Sequence, residues 1–327
     1  MLLLGLLIIL IGAGFFTNAV EWLGCRLGLS EGAVGSIFAA VGTALPESII
    51  PIVAILFSND SDTAHIGIGA ILGAPFMLGT LALFITGISA RCFTWRGPGI
   101  HTLNVDRRVI VRDLSFFVLM YSLALAVSFS KQEVVHNITA IILVVAYIYY
   151  VTKTIKSGKK ISNEGLRPLY CCFWKKPGLF VILLQTFVAL GLIIWGATHF
   201  VEGVKVLANL MAIPSLVLAL IIAPIATELP EKFNSVIWIA QKKDTLALGN
   251  ITGAMVFQSS IIPAFGILFT PWQLNSVAML SGILVLTSII ILTGHLLLRK
   301  SLYTSMLIFS GFFYLIFLAF VIWGGSK

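Results

Sequence analysis

The sequence predicts an all-α polytopic membrane protein of ten transmembrane helices, arranged as two inverted-topology repeats of five with broken helices 2 and 7. Three observations carry that expectation. Of 327 residues, 59% are hydrophobic and only 10% charged, which leaves too little polar surface to coat a water-soluble globule. Apolar runs long enough to cross roughly 30 Å of hydrocarbon recur ten times, five on each side of a polar stretch at 153–178. A short motif also appears twice, Gly42-Thr43-Ala44-Leu45-Pro46-Glu47 and, 184 positions later, Ala226-Thr227-Glu228-Leu229-Pro230-Glu231. Each copy places a proline and a carboxylate inside a run that should lie in lipid, the sequence pointer to a midplane site shared by two halves.

The first run, 2–20, has no basic head and continues through Thr17-Asn18-Ala19-Val20 without a convincing cleavage site, so it reads as a retained helix and not a signal peptide. The second, 33–57, holds the first motif and ends at the acidic turn Asn59-Asp60-Ser61-Asp62, a solvated connection. The third, 64–89, carries Gly67, Gly69, Gly73 and Gly79, small residues that let helix backbones approach closely and so wall a site. Arg107-Arg108-Val109-Ile110-Val111-Arg112-Asp113 leads into the fourth run, 114–130, as a headgroup anchor, and 134–152 is the fifth. Lys153 to Lys176 is basic and contains Ser157-Gly158, Asn163, Gly165 and Pro168, so it reads as a linker. The chain thus divides into a first five-helix repeat at 1–152, the basic cytosolic linker at 153–178 and a second repeat at 179–327.

The second half repeats the pattern. Its runs are 179–201, with Gln185 and Thr186; 211–240, with the second motif; 245–269; 274–298; and 302–324. Gly249-Asn250-Ile251-Thr252-Gly253-Ala254 in the eighth run answers Gly69-Ala70-Ile71-Leu72-Gly73-Ala74 in the third at an offset of 180. Trp22, Trp95, Trp174 and Trp272 sit near run ends, as interfacial tryptophans do.

A net charge of +8 could suggest nucleic acid, but its placement argues for a bilayer. With the amino terminus outside, all basic residues except Lys131, Lys205, Lys232 and Lys327 fall on inward connections, which is the positive-inside pattern. Both termini are then outside, the linker is cytosolic, and the expected location is the plasma membrane. Cys25, Cys92, Cys171 and Cys172 lie on or beside inward connections, where a reducing cytosol keeps thiols free. No phosphate-binding loop, clustered His, Asp and Glu set or evident nucleophile is present, so the reading is no enzyme, no cofactor, and no partners beyond cations and lipid.

A proline in a helix removes a backbone donor and frees carbonyl oxygens, here near Gly42, Thr43, Ala226 and Thr227. Lipid does not satisfy such oxygens, whereas a hard cation wants them. The expected ligands are Glu47, Glu231, Thr43 and Thr227, joined by Glu228 as a third intramembrane carboxylate and by Gln258 in the eighth run. Lys232 follows Glu228 at i+4 and could tune the charge by standing in for a bound monovalent cation, or could face a water-filled vestibule.

On these residues the chain resembles the calcium/cation antiporter superfamily, and within it prokaryotic sodium/calcium exchangers, whose paired repeats have the form GTSLPE followed by GNxxGSNxxN or GNxxGSNxxD. The resemblance covers nearly the whole chain. It implies ten helices, with the first and sixth sliding past a core, and motif glutamates, here Glu47 and Glu231, that bind calcium and are shared with sodium. The departures are Ala44 and Glu228 where that serine stands, Ala74-Pro75 and Ala254-Met255 in place of Ser-Asn, and Leu78 and Gln258 at the closing polar positions. The expected function is a secondary antiporter exchanging calcium or another divalent cation for Na+ by alternating access. Proton or other monovalent coupling is the alternative, because a buried carboxyl can carry a proton back where sodium ligands are missing. A passive cation channel ranks below both.

Overall fold

The computed structural model describes residues 1–26, 40–57, 61–93, 102–155, 168–171 and 177–325, with side chains at 21, 24, 25, 40–46, 61, 62, 155, 229–234, 324 and 325 outside the described set. Twelve helices account for almost all of it: α1 Leu2–Arg26, α2 Ala40–Leu56, α3 Ser61–Met77, α4 Leu83–Cys92, α5 Arg107–Ala126, α6 Glu133–Ile155, α7 Leu179–Met211, α8 Ser215–Ala240, α9 Asp244–Gln258, α10 Ile261–Phe269, α11 Ser276–Arg299 and α12 Thr304–Phe320. A two-residue ribbon, β1 Thr102–Leu103 against β2 Leu302–Tyr303, joins the connections before α5 and α12.

Among the described residues, eight helical spans are long and apolar enough to cross a membrane, with α3 and α4 making one and α9 and α10 another. Glu47–Leu56 of α2 and Ser215–Glu228 of α8 are shorter apolar stretches. The long spans leave Leu3, Leu7, Phe180, Phe187, Leu298 and Trp323 exposed, as side chains facing lipid must be.

Backbone interruptions fall at other positions than the sequence predicts. Helices α2 and α8 run unbroken through Pro46, Pro51, Pro224 and Pro230, so the expected breaks in spans two and seven are absent from the described backbone. Packed helices tolerate a proline when a neighbour covers the carbonyl it frees. Pro224 frees Leu220 O, and Gly73 of α3 presses so closely on that oxygen that a Cβ there would collide with it. Gly69 meets Leu216 O in the same way, so α3 and α8 pack backbone to backbone.

The irregular turns fall instead in the third and eighth apolar runs of the sequence, 64–89 and 245–269, here spans three and eight. A π-helical turn, Leu78–Ala82, links α3 to α4, and α9 ends at Gln258 before α10 restarts at Ile261. Leu78 and Gln258 are the two positions, 180 apart, that close the glycine-rich repeats. In span eight the cause is Pro263, whose ring would clash with the carbonyl four residues back, at Ser259. Ser259 and Ser260 turn their hydroxyls onto Val256 O at 3.0 and 2.7 Å, capping the last turn of α9. The π turn is held by Thr80 Oγ1 donating to Phe76 O at 2.5 Å and by Ser288 of α11 donating to Gly79 O at 2.8 Å.

Two large apolar clusters divide the interior, beside a small one of Ala19, Leu169 and Ile182. One gathers α1, α2 and α7 with one face of α3 and α8, and the other gathers α4, α5, α6 and α9 to α12 with the remaining faces of α3 and α8. The packed pair α3 and α8 is therefore the seam between them. Helices α1 and α7 are antiparallel and close: a Cβ on Gly5 would lie 2.5 Å from Phe200 N, and one on Gly12 would lie 2.8 Å from Ile193 Cγ1. Their linker-side ends are clasped by Gln185, whose Nε2 donates to Asn18 Oδ1 at 3.1 Å and to Phe15 O at 2.8 Å. The same two side chains bind the strap 168–171, through Asn18 to Pro168 O and the Tyr170 amide and through Gln185 Oε1 to the Cys171 amide. Trp272, expected at an interface, is instead fully buried, with Nε1 donating to Ala124 O at 2.8 Å.

Candidate cation site

The α8 side of the seam carries a buried carboxylate. Glu228, in the fourth turn of α8, is fully buried, as are Thr227 beside it and Gln258, Ser259 and Ser260 at the break of span eight. Gln258 Nε2 donates to Glu228 Oε1 at 2.5 Å, so the side chain that ends α9 meets the carboxylate in the middle of α8. Gln258 Oε1 is buried too and has no hydrogen-bond partner among the described residues, which leaves a carbonyl oxygen next to the carboxylate. Thr227 Oγ1 donates to Ala223 O at 2.9 Å, and its lone pairs remain available to a cation.

Glu47 and Ser48 are buried on α2, which packs against α3, α7, α8 and α9. Pro51, one turn further along α2, lacks the backbone N–H that a regular helix would direct at residue 47. Carboxylate, amide and peptide oxygens, with hydroxyls beside them, are the ligand set of a hard divalent cation. No group of three or more His, Cys, Asp or Glu forms a metal cage among the described residues.

Of the residues expected from sequence, Glu228 and Gln258 are brought into contact, Thr227 adjoins them, and Glu47 is buried on a helix packed against theirs. The side chains of Thr43, Glu231 and Lys232 lie outside the described residues. The continuous helix does settle one point of spacing: positions 228 and 232 are one turn apart on α8. Gly67, Gly69, Gly73 and Gly79 all make close approaches as expected, whereas a Cβ on Gly249 or Gly253 would meet nothing within 4 Å among the described residues.

One polar constellation went unread in the sequence. Asp113 of α5 is buried and joins Arg112, Tyr150 of α6 and Thr252 of α9. The apolar run 114–130 leaves Asp113 outside the membrane, but α5 starts at Arg107 and carries Asp113 in its second turn. The available signal was an aspartate abutting a long apolar run with an arginine before it.

Long apolar helices packed around buried carboxylates define an integral, multi-pass membrane protein of the ion-handling class. Comparison with known proteins narrows that class. The chain belongs to the sodium/calcium exchanger protein family, which matches residues 1–156 and 181–323, and the family is one of exchangers. It is similar to the inner membrane protein YrbG of Escherichia coli, 25% identical over 280 residues that span 85% of this chain and 82% of that one. A segment of 154 residues, 46% of this chain, is 28% identical to sodium/potassium/calcium exchanger 1 of Rattus norvegicus, covering 11% of that protein. Among solved structures the fold matches the H+/Ca2+ exchanger CAX, with TM-score 0.76 and 17% identity over 98% of this chain and 80% of that one. It also matches the sodium-calcium exchanger NCX_Mj, with TM-score 0.60 and 22% identity over 97% and 96%.

Proposed function

We propose that this protein is a secondary antiporter that exchanges calcium, or a divalent cation like it, for Na+ by alternating access at the seam between α3 and α8. The observation that carries the reading is the buried couple of Glu228 and Gln258, which meets where span eight is interrupted. Glu47 and Glu231 supply the motif carboxylates, with Thr43 and Thr227 beside them, and Lys232 offsets one negative charge. The halves 1–152 and 179–327 form inverted repeats of five spans, with both termini outside the plasma membrane and the basic linker in the cytosol. No resident cofactor and no protein partner enter the cycle. The family membership and the exchanger relatives support this assignment.

A second reading, with protons as the counter-ion, is favoured by particular residues. Leu78 is fully buried in apolar packing and Ala74 is buried beside Pro75, so neither position offers a side-chain oxygen to sodium. Glu228 adds a carboxyl that can carry a proton instead. Radioactive calcium uptake into proteoliposomes under imposed Na+, K+ or H+ gradients separates the readings. Uptake driven by a Na+ gradient supports the first, uptake driven only by a proton gradient supports the second, and flux indifferent to every counter-ion gradient would make the protein a channel.

A further inference from the structure

Helix α9 presents Gln258 to the site, yet its linker-side half is tied down by polar bonds that belong to no cation site. Asp113 Oδ1 accepts from the Tyr150 hydroxyl at 2.6 Å and from Arg112 Nη2 at 2.9 Å and Nε at 3.1 Å, while Oδ2 accepts from Thr252 Oγ1 at 2.9 Å. Arg112 closes the knot by donating to the Tyr150 hydroxyl at 3.0 Å with its guanidinium 4.9 Å from the ring centre. Asn250 Nδ2 donates to Ser235 Oγ of α8 at 3.3 Å, and that hydroxyl donates to Ala247 O at 3.1 Å. At the start of the helix, Asp244 Oδ2 accepts from the Asn104 amide at 2.9 Å, and Thr245 Oγ1 accepts from the Asp106 amide at 2.8 Å.

Directional bonds matter here because apolar packing alone fixes a helix weakly against rotation and slide when lipid is as apolar as its neighbours. Gly249 and Gly253 make no close backbone approach among the described residues of the kind that pins α3 to α8. Thr252 is six residues from Gln258, about 9 Å along the axis at about 1.5 Å per residue. A rotation of about 20° at a side-chain radius of about 6 Å carries a side-chain tip about 2 Å. That displacement would part Gln258 from Glu228, which meet at 2.5 Å.

We propose that Asp113 and Thr252 are positioning residues for transport: their bond sets the depth and rotation of α9 so that Gln258 reaches Glu228. The inference rests on the assignment of Glu228 and Gln258 to the cation site. Calcium uptake by reconstituted protein, resolved into KM and maximal rate, tests it with Thr252→Val, which keeps the shape and loses the hydroxyl, and Thr252→Ser, which keeps the hydroxyl. Thr252→Val should raise KM about tenfold with a smaller change in maximal rate, the effect of one bond to a charged acceptor. Thr252→Ser should restore KM to within about twofold. In a Gln258→Ala background Thr252→Val should add almost nothing, because residues acting through one another are not additive.

Should Thr252→Val give too little folded protein, Thr252→Ala measured beside Thr252→Ser carries the same comparison. Wild-type KM in the valine or alanine variant, or an effect that multiplies with that of Gln258→Ala, would overturn the proposal while leaving the site intact. Unchanged uptake in both Glu228→Gln and Gln258→Ala would instead remove the site assignment, and this inference with it.

Discussion

Glu228 is a carboxylate with no exposed surface, placed in a helix whose other residues are mostly aliphatic. Burying such a charge costs several kcal/mol unless opposite charge or strong hydrogen bonds offset it, so the group is kept for what it binds. Glu228→Gln retains the size and the hydrogen-bonding capacity but removes the charge. Loss of one charge-assisted contact is worth about 1.5–3 kcal/mol, so initial calcium uptake should fall by at least about tenfold. An uptake rate equal to wild type at subsaturating calcium would show that the carboxylate takes no part. Lys232 stands one helical turn further along α8. If its ammonium replaces a bound monovalent cation, Lys232→Ser should change the net charge moved per cycle. Uptake measured against a clamped membrane potential reads that quantity directly, and an unaltered voltage dependence excludes the role.

At the level of elements, the seam depends on two glycines that let α3 lie against carbonyls of α8. Gly73→Ala places a methyl against Leu220 O and forces the helices apart, which overpacking data put at about 1–3 kcal/mol. The unfolding midpoint in detergent should drop accordingly, whereas the same change at Gly253, where nothing lies within 4 Å among the described residues, should leave it near wild type. The Pro-Glu motifs were legible in the sequence because a carboxylate is so costly in an apolar run that its duplication signals function. The location of the irregular backbone was not. Pro46, Pro224 and Pro230 look as disruptive on paper as Pro263, but disruption depends on how neighbouring helices pack around the proline turn, as Gly73 packs on Leu220 O, and that is decided by tertiary contacts. Asp113 escaped notice for a related reason, since the boundary of an apolar run is blind to a buried acid whose donors arrive from Tyr150 and Thr252 on other helices.

For the whole molecule, the two apolar clusters meeting at α3 and α8 suggest which parts stay together during a transport cycle. Helix α1 is joined to α7 along its length by glycine contacts and at its end by the Asn18 and Gln185 clasp, with the strap 168–171 bound to the same pair. Composition and charge made a many-spanned helical membrane protein visible, but not this pairing, because every span in an apolar sequence offers a plausible partner for every other. Backbone contacts this close leave no room for α1 to slide on α7, so both should move as one body relative to the rest. Cysteines at Gly12 and Ile193 test this, since a Cβ on Gly12 lies 2.8 Å from Ile193 Cγ1 and the pair falls within reach of a disulfide. With Cys25, Cys92, Cys171 and Cys172 replaced by serine, oxidation of Gly12→Cys/Ile193→Cys protein should join the helices and leave calcium exchange close to the reduced rate. Loss of exchange on oxidation, restored by reductant, would mean that the two helices slide past one another during the cycle.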